Sequence, residues 1–65
     1  MLDFGRCLIE AQVVKNVTSA DLAKRLGVHR QQINIWRNKK NVRLDTALKV
    51  CEALGMPIEL FLLNK

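Results

Sequence analysis

Little in this chain is given to breaking or bridging structure. Its 65 residues hold one proline and three glycines. There is no linker-like composition and no internal repeat, so residues 1–65 read as a single small domain. The only histidine is His29, and the two cysteines, Cys7 and Cys51, stand far apart in apolar surroundings. Metal binding needs more ligands at closer spacing, so no metal site is expected and the cysteines read as buried thiols of a reducing compartment. No nucleophile stands beside a base and no glycine-rich loop could cradle a phosphate, which argues against an enzyme and leaves no cofactor to expect. Apolar runs are short as well. Uncharged stretches such as Ala11–Val14 and Ala53–Ile58 fall well below the roughly 20 residues that span a bilayer. No signal-peptide pattern is present, and the expectation is a cytoplasmic protein without membrane association.

What the chain does have is positive charge, and it is unevenly placed. Eleven Lys and Arg against six Asp and Glu give a net charge of +5. Between Leu22 and Leu44 lie Lys24, Arg25, Arg30, Arg37, Lys39, Lys40 and Arg43, with no acid among them. The rest of the chain carries all six acids and is net negative. A contiguous basic segment of this kind points to a polyanionic partner.

The hydrophobic pattern is helical throughout. Phe4, Cys7, Leu8 and Ala11 recur at helical spacing and predict a first helix ending near Lys15. Thr18-Ser19-Ala20-Asp21 resembles a capping box, with Asp in the usual place of Glu or Gln. It opens a short second helix that turns Leu22, Ala23 and Leu26 inward and stops at Gly27. A third helix is expected from about His29 to Asn38, followed by a charged loop to Arg43. Leu44, Ala47, Leu48, Cys51 and Leu54 predict the inward face of a fourth helix, stopped by Gly55. Pro57 suits the first turn of a fifth, running to about Leu63, with Ile58, Phe61 and Leu62 closing the core. No alternating strand pattern competes. The expected class is all-α, a compact five-helix domain.

Within it, residues 19–38 satisfy the demands of a helix-turn-helix. Ala23 is small enough for a close helix crossing, and Gly27 tolerates the positive φ of the turn. On the third helix Ile33 and Trp36 fall on one side, which makes Trp36 a core residue and not a stacking platform. Gln31, Asn34, Ile35 and Asn38 fall on the other, flanked by Arg30. Gln and Asn are the side chains that pair with adenine edges, and Arg pairs with guanine. Taken alone such a face could be merely solvated; the acid-free segment and the turn signature favour base contact. Ile35 is either an ordinary exposed apolar residue or a contact for a thymine methyl.

Ala-Asp-Leu-Ala-Lys-Arg-Leu-Gly-Val at 20–28, then Ile33, Trp36 and Ala53-Leu54-Gly55, resemble the lambda-repressor-like, Cro-type helix-turn-helix family of phage and bacterial regulators. The resemblance covers roughly Thr18 to Leu62. It implies that Arg30, Gln31, Gln32, Asn34 and Ile35 face the major groove of double-stranded DNA. It further implies that Ser19, Asn38, Lys39, Lys40 and Arg43 touch phosphates, with the minor groove a second destination for Arg43. A bacterial cytoplasm or nucleoid would be its place of action. The chain departs from the family at three helix starts, where His29, Arg43 and Pro57 stand in place of capping residues.

Leu60 and Leu63 point away from the core side of the last helix. They are expected in a homodimer interface, one that could form on DNA, or else packed shallowly against the first helix. The function implied by the resemblance is a Cro-like repressor that binds a near-palindromic operator as a dimer. The alternative is an antitoxin-type autoregulator pairing the same module with a protein partner.

Overall fold

The computed structural model describes residues 3–63, and their regular structure is five helices: α1 Phe4–Lys15, α2 Ser19–Leu26, α3 Arg30–Arg37, α4 Leu44–Leu54 and α5 Ile58–Leu63. No strand occurs among the described residues. Each of the first three helices is opened by a side chain that accepts from a free backbone N–H. Asp3 accepts from Arg6 N at 3.2 Å, Thr18 from Asp21 N at 3.1 Å, and His29 Nδ1 from Gln31 N at 3.3 Å. His29 and Asn38, expected as the first and last residues of the third helix, are instead its caps.

Three helices close in the same way. Asn16, Gly27 and Gly55 adopt left-handed backbone conformations after α1, α2 and α4. The next residue then returns its N–H to a carbonyl of the helix just ended. Val17 bonds Gln12 O at 2.9 Å, Val28 bonds Ala23 O at 3.0 Å, and Met56 bonds Cys51 O at 3.0 Å. This closure tucks an apolar residue under the helix end, and all three pack into or against the core.

The core is assembled around α1, which turns Phe4, Cys7, Leu8 and Ala11 inward. It packs on α3, α4 and α5, while α2 packs on α3 and α4. Ile33 is the fully buried anchor of α3, and Trp36 lies half-buried against the same core. Phe61 of α5 meets Phe4 with ring centroids 5.5 Å apart and planes tilted by 45°. Cys7 and Cys51 are both buried in the core. Burial, with Cys7 nearby, pushes the Cys51 thiol up to about 11.

The fourth and fifth helices depart from expectation. Leu44 and Leu48 do not face the core; they are 71% and 46% exposed. Val50 is fully buried in their stead, beside Ala47, Cys51 and Leu54. Both stripes obey helical spacing, and the apolar arc of α4 is wider than the core can cover. Packing against α2, α1 and α5 selects the Val50 side. On α5 Leu62 also stays exposed, and Phe61 with half-buried Ile58 does the closing. Pro57 sits just before α5, its carbonyl accepting from Leu60 N and Phe61 N at 3.1 Å each.

The start of α1 is joined to the segment after α3. Phe4 N donates to Lys40 O at 2.9 Å and Gly5 N to Lys39 O at 2.7 Å. The approach is so close that a Cβ on Gly5 would lie 2.2 Å from the Arg37 carbonyl oxygen. In a solvated helix Gly→Ala stabilises by about 1 kcal/mol. Here the obstacle is backbone that cannot turn aside, so Gly5→Ala should destabilise by about 1–3 kcal/mol. Thermal melting checks this: the variant should melt lower by about 5–15 °C, and an unchanged or raised midpoint would mean that α1 is not held at this distance.

Candidate nucleic-acid interface

The turn between α2 and α3 fixes the aim of α3. Leu22 and Ala23 of α2 are buried against it, and the left-handed closure at Gly27 with half-buried Val28 sets the angle between the helices. With Ile33 fully buried and Trp36 half-buried, the opposite face of α3 must look outward. Arg30, Gln31, Asn34 and Ile35 are all exposed there, and Gln32 lies half-buried on the flank. The structure therefore brings four of the five candidate base-reading residues onto one free surface and sets the fifth at its edge.

The candidate phosphate contacts fall into two kinds. Lys39 and Lys40 are exposed directly after α3, their carbonyls tied to Gly5 N and Phe4 N while their side chains stay outside. The tie orders the backbone of two lysines without engaging their charges. Arg43 is also exposed, but its Nε lies 3.4 Å from Asp45 Oδ1. An exposed pair of this sort is weak, so a phosphate could displace the carboxylate at small cost. Asn38 is partly engaged, since its Nδ2 donates to Asn34 O at 2.9 Å and closes the end of α3. Ser19, the first residue of α2, accepts from Gln12 Nε2 at 3.3 Å and from Arg37 Nη1 at 3.1 Å.

Three side chains important to this surface went unassigned in the sequence reading. Arg25 belongs to the basic segment, yet its Nη1 donates to Ala53 O at 2.9 Å and ties the end of α2 to the end of α4. Arg37 likewise turns to Ser19, and Gln12 is a buried polar residue beside it. A glutamine within a buried helix stripe is a signal that could have been noticed, because buried amides need partners. The bonds that Arg25 and Arg37 make to other helices have no counterpart in the sequence pattern. Within the basic segment the exposed cations with no such bond to another helix are Lys24, Arg30, Lys39 and Lys40, with Arg43 shared.

A short helix packed behind a glycine turn, presenting amide, guanidinium and apolar side chains and flanked by exposed lysines, defines a helix-turn-helix DNA-binding domain. No curated protein matches the chain in sequence. The chain belongs to the family of Cro/C1-type HTH DNA-binding domains, whose family model matches residues 14–61, from the last turn of α1 into α5. That is a regulatory and non-enzymatic family. None of the helices among the described residues is long and apolar enough to cross a membrane.

Lys40 gives a direct test of the charge assignment. A true phosphate contact releases about one counterion-equivalent, so Lys40→Ala should weaken binding to all duplexes alike and flatten the log–log salt slope by roughly one unit. Arg25→Ala, which removes a cation tied to the Ala53 carbonyl at the end of α4, should change that slope less. A titration of fluorescent duplex at several salt concentrations reads both, and an unaltered slope for Lys40→Ala removes Lys40 from the interface.

Proposed function

We propose that residues 1–65 act as a single sequence-specific module that reads double-stranded DNA and regulates transcription, most simply as a Cro-like repressor in a bacterial cytoplasm or nucleoid. The observation that carries this reading is the outward face of α3. Arg30, Gln31, Asn34 and Ile35 are exposed together on a helix whose other side is anchored by Ile33, in a chain of the Cro/C1-type family. Inserted in the major groove, Gln31 and Asn34 would pair with adenine edges, Arg30 with guanine, and Ile35 with a thymine methyl, with Gln32 at the margin. Ser19, Asn38, Lys39, Lys40 and Arg43 would hold the flanking phosphates and set the register. Repression would follow by occlusion, a bound protein blocking polymerase at an overlapping promoter.

We further propose that two copies bind together on a near-palindromic operator. The support is an apolar surplus that the core does not use. Leu60 and Leu63 are 54% and 72% exposed on α5. Leu44 and Leu48 add to the surplus on α4. A domain of this size is marginally stable alone, so covering such residues in a dimer would stabilise both the fold and the complex.

Selection on a random duplex library at two salt concentrations tests the reading. A two-fold symmetric motif with half-sites about 10 base pairs apart is expected. Salt-sensitive retention without an enriched motif would favour the antitoxin-type regulator, which needs a protein partner. No retention at either salt would overturn DNA binding itself. Leu63→Glu tests the dimer separately: sedimentation should show weakened self-association, and operator affinity should fall while the circular dichroism of the folded chain well below its melting transition is kept. Wild-type association in that variant would remove Leu63 from the interface.

A further inference from the structure

Ser19 is the point at which α1, α2 and α3 meet through one oxygen atom. Its Oγ lies 3.3 Å from Gln12 Nε2 and 3.1 Å from Arg37 Nη1. A guanidinium can only donate. The Gln12 amide has a fixed direction too, because its Nε2 also faces the Val17 carbonyl oxygen at 3.2 Å. The reversed amide would set two acceptor oxygens against each other. Gln12 Oε1 is left buried without a partner, which is the cost of holding the NH2 end on Val17 and Ser19.

Both neighbours of the Ser19 hydroxyl are therefore donors. They occupy its two lone pairs, and its one hydrogen is left to donate. Among the described residues no carbonyl or carboxylate receives it. Gln12, Ser19 and Arg37 line an open surface cleft with Thr18, so an outside acceptor can reach the group.

We propose that Gln12 and Arg37 are positioning residues that make Ser19 a dedicated hydrogen-bond donor for a phosphodiester oxygen of the DNA backbone. The inference rests on the DNA-binding reading above and gives its interface a pre-set element. A lone serine hydroxyl rotates between donating and accepting, whereas a phosphate oxygen only accepts. Fixing the rotor in the free protein removes an ordering cost from the bound one. It also separates Arg37 from Lys39 and Lys40. The Arg37 guanidinium donates to the Ser19 hydroxyl, so part of its effect on binding should pass through that hydroxyl.

The experiment measures affinity for one selected duplex across a salt series, with wild type, Ser19→Ala, Ser19→Thr, Arg37→Met and the Ser19→Ala/Arg37→Met double variant. All are compared below their melting transitions by circular dichroism. Ser19→Ala should weaken binding by about 3- to 10-fold with the salt slope unchanged, and Ser19→Thr, which keeps the hydroxyl, should restore it. At high salt, where the loss of its charge is screened, Arg37→Met should lose a similar factor and should add nothing in the Ser19→Ala background. An Arg37→Met variant that binds as tightly as wild type at high salt would overturn the proposal. Additive losses in the double variant, or full affinity in Ser19→Ala, would overturn it as well. Should Arg37→Met melt too early to assay, the Ser19→Ala and Ser19→Thr pair still decides whether the hydroxyl donates. Failure of the wild type to bind any duplex would instead defeat the DNA-binding reading, an outcome distinct from normal wild-type binding with unaffected variants.

Discussion

Two hydrogen bonds at the start of α1 govern how the domain is put together. A helix N-terminus exposes N–H groups that need acceptors, and a buried one must find them in the protein. Here Phe4 and Gly5 find them in Lys40 and Lys39, the residues that follow the outward-facing helix. Gly5 allows this because its missing side chain lets α1 lie against the Arg37 carbonyl. The same contact that ends one helix's search for acceptors also fixes the path of the chain leaving α3. Phe4, one residue earlier, is held over Phe61, so α5 is seated by the same docking.

The distribution of cations follows from similar local competition. A net positive segment suggests a uniformly basic surface, but the structure divides it. Arg25 and Arg37, with long planar donors, reach carbonyl and hydroxyl acceptors within the fold. The lysines carry compact ammonium groups and stay outside. Charge-bearing residues thus serve two ends in one short segment, joining helices on one side and leaving positive potential on the other. The side chains of α3 that face out are mostly uncharged donors and acceptors, suited to discrimination more than to attraction.

Much of this was legible in the amino-acid sequence, for reasons that differ by element. The helix-turn-helix was readable because each of its demands falls on a single residue type at a fixed place: a cap at Thr18, a small residue at Ala23, a turn at Gly27. The outward face of α3 was readable because only Ile33 and Trp36 could serve as its inward side. The facing of α4 was not readable. Its apolar residues cover too wide an arc, and a helical wheel cannot say which half of a wide arc the neighbours will take; hence Leu44 and Leu48 were misjudged and Val50 was missed. Links such as Gly5 to Lys39, or Arg37 to Ser19, join segments distant in the chain and leave no periodic trace.

The repeated left-handed closures after α1, α2 and α4 bear on how the chain reaches this form. Each reverses the chain within two residues and joins a helix to its own terminating residue, so most of the early contacts are between near neighbours. Helical domains dominated by such local contacts fold in microseconds to milliseconds. The Phe4–Lys40 and Gly5–Lys39 bonds are not local and close a loop of about half the chain, as the Phe4–Phe61 ring contact closes a longer one. A nascent polypeptide would thus have its helix-turn-helix formed locally, while the backbone beyond the outward helix acquires its final course only when the beginning of the chain docks upon it.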